Sequence, residues 1–105
     1  EKQGAVLKQF DGNYQCLQEL QNGGSDAVAI DKAVALYYVS KGGMNNLKVV
    51  GEPKKLAGSA MAIDKDHDDE LKAINQALAE LKADGTYTKL YQKWFGVDPT
   101  AEELQ

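Results

Sequence analysis

The stretch ALAELKADGTYTKLYQKWFG, residues 77–96, most constrains what this chain can fold into. Leu71, Ile74, Leu78 and Leu81 recur at three- and four-residue steps, which places them on one stripe of a helix. After Gly85 the stripe resumes as Tyr87, Leu90, Tyr91, Trp94 and Phe95. The spacing therefore predicts two amphipathic helices, 67–84 and 86–95, joined at a glycine. The second is more aromatic than a small domain needs, and a face of that kind requires a covering surface.

Size and charge narrow the setting. A chain of 105 residues suits one small domain, able to bury roughly two-thirds of its unfolded surface. The formal charge of −4 leaves no basic stripe for phosphates, which argues against a nucleic-acid partner. No apolar run reaches the length of a membrane helix. There is no basic-then-apolar leader at the N-terminus, so a cytosolic chain, or a mature or truncated product that has lost its targeting segment, is expected. All the basic residues are lysines, and no arginine is present to grip a carboxylate with two prongs. The single cysteine, Cys16, excludes an internal disulfide and a multi-cysteine metal site. It shares a helical face with Leu20 and reads as a small buried hydrophobe.

Along the chain, short apolar runs alternate with helical patterns. Residues 5–8, 27–30, 47–50 and 59–63 read as strands, the second and third buried on both faces. Asp11-Gly12-Asn13 offers a turn and a cap for a helix bearing Tyr14, Leu17 and Leu20, which stops at Gly23-Gly24. Asp31 caps a helix from Lys32 to Ser40, closed by Gly42-Gly43. Residues 51–58 lack hydrophobic periodicity and read as a connector. Thr100–Gln105 reads as a frayed or weakly helical tail after Pro99. Strands alternating with helices predict an α/β architecture with parallel pairing.

Few residues offer chemistry. A carboxylate at the C-terminal end of a buried parallel strand sits where open α/β sheets bind ligands, and Asp31 holds that position. Capping the following helix is its competing role, and one residue can do both. The run Asp64–Glu70 is acidic, but an EF-hand loop would need glycine and glutamate where Asp69 and Asn75 stand. Acidic residues at a helix start are what the helix dipole favours. His67, the only histidine, reads as a solvated helix-start residue. Lys89 and Lys93 are too few for a membrane-surface helix, so the aromatic face reads as packing. No phosphate loop, nucleophile elbow or zinc spacing occurs; no catalytic residue, metal site or cofactor is expected.

Three blocks, FDGNYQCLQELQNGGSDAVAIDKAVALYYV, LKVVGEP and ALAELKADGTYTKLYQKWFG, closely resemble the extracytoplasmic solute-binding proteins of amino-acid ABC transporters (family 3, the polar amino-acid binders). The resemblance implies a type II periplasmic-binding-protein-like fold, a parallel sheet flanked by helices in two lobes that close on a free amino acid. Residues 1–52 would be most of lobe 2, residues 53–58 one of two hinge crossovers, and residues 59–105 the C-terminal return of lobe 1. By the same resemblance Asp31 meets the ligand's α-ammonium, and Ile30 lies near its side chain. The implied protein works in the periplasm or outside the cell, lipid-anchored in its parent form, and hands its amino acid to an ABC permease.

Departures from the family accompany the match. The arginine that holds the ligand's α-carboxylate is absent, and the first strands of both lobes have no counterpart here. A truncated binder with weak or no affinity of its own is then the expectation. The two C-terminal helices would be covered either by exchange between copies, as in domain swapping, or by the chain's own reduced sheet. A sensory module of the same fold, a rare dehydratase-like enzyme of that fold, and a non-binding half-protein are the rival readings.

Overall fold

The computed structural model describes residues 3–51 and 59–105. The crossover expected at 53–58 lies outside the described residues. The chain divides into two compact units, Glu1–Val50 and Gly51–Gln105. Four helices form: α1 (Asn13–Gln21), α2 (Lys32–Ser40), α3 (Asp68–Ala83) and α4 (Thr86–Phe95).

In the first unit, α1 starts at Gly12 without a side-chain cap, so the cap expected of Asp11-Gly12-Asn13 does not form. Its end is closed by backbone alone: Gly23 N–H donates to Leu20 O at 3.1 Å and Gly24 N–H to Glu19 O at 2.9 Å. Gly23 supplies the positive φ, 79°, that this helix stop needs. Lys8 Nζ donates to Glu19 Oε1 at 2.7 Å and to Gly24 O at 2.5 Å, pinning the extended segment before α1 to the end of that helix. After α2, Gly42 N–H donates to Tyr37 O at 2.9 Å and Met44 N–H to Tyr38 O at 3.1 Å. This turn brings Met44 into the interior, where it and Leu17 are the buried apolar side chains of the unit. Tyr38 bridges the two helices, its ring 5.8 Å from Tyr14 and 5.4 Å from Tyr37. Cys16 is free and half-buried.

In the second unit, α3 and α4 pack against each other. Their shared corner is the sequence Asp84-Gly85-Thr86. Gly85 takes φ 82° to reverse the chain, and Asp84 Oδ1 accepts from Thr86 N–H at 2.8 Å. The first turn of α3 carries Asp68, Asp69 and Glu70, whose charges suit the positive end of the helix dipole.

The expected parallel sheet is not seen among the described residues. Among the described residues there is no strand, and residues 5–8, 27–30, 47–50 and 59–63 are extended or irregular without ladder partners. The described residues are all-helical rather than α/β, and no sheet occurs among them for α3 and α4 to cover. The reason lies in what a strand is. Its backbone groups need a neighbour about 4.8 Å away, and β-propensity reports fit to such a surface rather than a property of the segment. Ala27 and Ala29, read as covered, are exposed.

Candidate functional site

Asp31 stands where extended chain becomes α2, with backbone angles φ −57° and ψ 135°. Its Oδ1 accepts from Ala33 N–H at 2.9 Å and from Val34 N–H at 3.3 Å. The residue is therefore the N-cap of α2, and both cap bonds fall on one carboxylate oxygen. Asp31 is exposed and Ile30 half-buried. An exposed carboxylate fixed by two backbone donors can present its second oxygen to a cation without losing its helix role.

A second surface belongs to α4. Tyr87, Leu90, Tyr91, Trp94 and Phe95 line an open apolar hollow. Tyr91 lies between Tyr87 and Phe95, with ring centroids 6.1 Å and 4.6 Å away, the latter edge-to-face. Lys82 Nζ sits 5.5 Å above the Tyr87 ring and Lys93 Nζ 5.2 Å above Trp94. The hollow has no carboxylate in its lining to pair with the ammonium of a free amino acid. Its composition is that of a packing face.

The acidic run gathers no metal site, since no cluster of three metal-ligating side chains occurs among the described residues. His67 is exposed, and its Nδ1 lies 3.1 Å from Glu70 Oε1. What sequence reasoning missed is the tail. Thr100 and Glu103 form a reciprocal capping box, and the Tyr91 hydroxyl donates to Glu103 Oε1 at 2.8 Å. The signal was legible, because Thr-Ala-Glu-Glu has the capping-box spacing.

Residues 5–97 match the model of the bacterial extracellular solute-binding proteins, family 3. The chain belongs to that family. It is 39% identical over 98 residues to the L-cystine-binding protein TcyJ of Escherichia coli K12, covering 93% of this chain and 36% of that protein. The L-cystine-binding protein TcyA of Bacillus subtilis is 34% identical over 95 residues, 90% of this chain and 35% of that protein. ABC transporter arginine-binding protein 1 of E. coli K12 is 33% identical over 89 residues, 82% of this chain and 37% of that protein. The chain thus spans little more than a third of these relatives. No solved structure matches it.

Proposed function

We propose that this chain is part of the substrate-binding component of an ABC transporter, which captures a polar amino acid outside the cytoplasmic membrane and presents it to a permease. The observation that carries this reading is the family match over residues 5–97, together with relatives named for binding cystine and arginine. The role is capture and release with no chemical step. Ligand would stabilise a closed state through its greater affinity for it. The whole protein would work in the periplasm or at the cell surface, held there by a lipid anchor.

In this reading Asp31 meets the α-ammonium of the ligand and Ile30 lies beside its side chain. The exposed carboxylate at the start of α2, held through Oδ1, supports that role. The 105-residue chain alone should bind weakly or not at all, because the relatives bind with proteins of which it matches about a third. Titration calorimetry of the whole protein against the polar amino acids tests the function, and no binding to any of them would overturn it. In that protein Asp31→Asn should cost about 2–5 kcal/mol of affinity, as for one partner of a buried charge pair. Unchanged affinity would remove Asp31 from the site. Micromolar binding by the 105-residue chain would show that this segment suffices.

A further inference from the structure

The residues that follow the family-matched region, 98–104, fold back on α4 through a connected set of contacts. Gln92 Nε2 donates to Asp98 Oδ1 at 2.5 Å, and Pro99 is buried. Thr100 N–H donates to Glu103 Oε2 at 2.7 Å, and Glu103 N–H returns a bond to Thr100 Oγ1 at 3.3 Å. Leu104 N–H donates to Thr100 O at 3.2 Å, closing one helical turn. The second Glu103 oxygen, Oε1, receives the hydroxyl of Tyr91. Glu103 thereby ties the turn to itself with one oxygen and to α4 with the other.

Tyr91 makes this more than a capped end. It is only 7% exposed, while its neighbours Leu90 and Trp94 on the same hollow are about half exposed at 49% and 47%. A tyrosine buried that far needs a partner for its hydroxyl, and the tail supplies it. We propose that residues 98–104 are a strap latched to the aromatic helix through Tyr91 and Glu103, whose opening uncovers Tyr91 and widens the apolar hollow. The strap is local to α4 and independent of the transport role.

Carboxypeptidase digestion reads the latch directly, since cleavage tracks the open population when opening and reclosing are fast. Release of residues beyond Thr100 should be about three- to tenfold faster in Tyr91→Phe than in the native chain, the worth of one hydrogen bond, and at least as fast in Glu103→Ala, which removes two. Glu103→Gln should remain close to native, because its amide oxygen still accepts from Thr100 N–H while its Nε2 donates to the Tyr91 hydroxyl oxygen. The double variant Tyr91→Phe, Glu103→Ala should be no faster than the faster single variant, because the two residues share one bond. Equal rates for the native chain and Glu103→Ala would overturn the latch, as would multiplying effects in the double variant. Should Tyr91→Phe lose helical circular dichroism, the contrast of Glu103→Ala with Glu103→Gln decides alone, since neither alters α4.

Discussion

Asp31 performs one duty visibly, and substitution separates that duty from the second one proposed for it. Asparagine keeps an acceptor for Ala33 and Val34 N–H, whereas alanine has none. Thermal melts should therefore show Asp31→Asn close to native and Asp31→Ala less stable by about 1 kcal/mol. The cap was legible because aspartate before an apolar helical run is a start signal; its exposure was not, because that depends on what lies over residues 27–30. Two other carboxylates contribute to the acid response. The hydrogen bond from His67, and then that from its own backbone N–H, hold the Glu70 carboxyl below the usual range. Thr86, through its side chain and then its N–H, does the same for Asp84. A carboxylate lowered in the folded state stabilises it above the unfolded pKa, and that contribution disappears as pH falls through the folded value. Melts taken from neutral pH to below about pH 4 should lose this part of the stability, and Asp84→Asn should flatten the low-pH slope.

Helices whose sequences stop on glycines were readable almost to the residue. For α2 the predicted span from Lys32 to Ser40 is the observed one, because a capping aspartate and a glycine pair bracket it. The corner between α3 and α4 was equally plain, since only a residue at ease with φ 82° turns there. Gly85→Ala should cost about 1–2 kcal/mol in a denaturant titration. At Gly42 the obstacle is space, for a β-carbon would fall 2.5 Å from Tyr38 Cδ1 and 2.7 Å from Tyr38 Cα. Gly42→Ala should then destabilise by about 1–3 kcal/mol, the cost of overpacking, and the melt should show it. Strands resisted the same reading. Periodicity and glycine stops belong to a segment, but a ladder belongs to a pair of segments, and residues 27–30 or 47–50 carry no mark of who their partner is. In the tail, Thr100–Glu103 is too short to show periodicity; its capping-box spacing was legible, but its contact with Tyr91 was not, because that partner belongs to the preceding helix.

Across the whole molecule, much apolar side chain remains in contact with solvent: Val6, Leu7, Val50, Met61 and Trp94 among them. A soluble monomer rarely keeps that much uncovered. Light scattering over rising concentration should therefore show the 105-residue chain associating, and a compact monomer at high concentration would count against exchange of helices between copies. The distribution of aromatic residues also has a spectroscopic consequence. Trp94, the only tryptophan, lies in the unit Gly51–Gln105, whereas Tyr14, Tyr37 and Tyr38 lie in the unit Glu1–Val50. Excitation at the red edge of the absorption band, where tyrosine is dark, follows the second unit alone. Comparison with the whole-chain far-ultraviolet signal then tells whether the two units melt together or one at a time, without any label being attached.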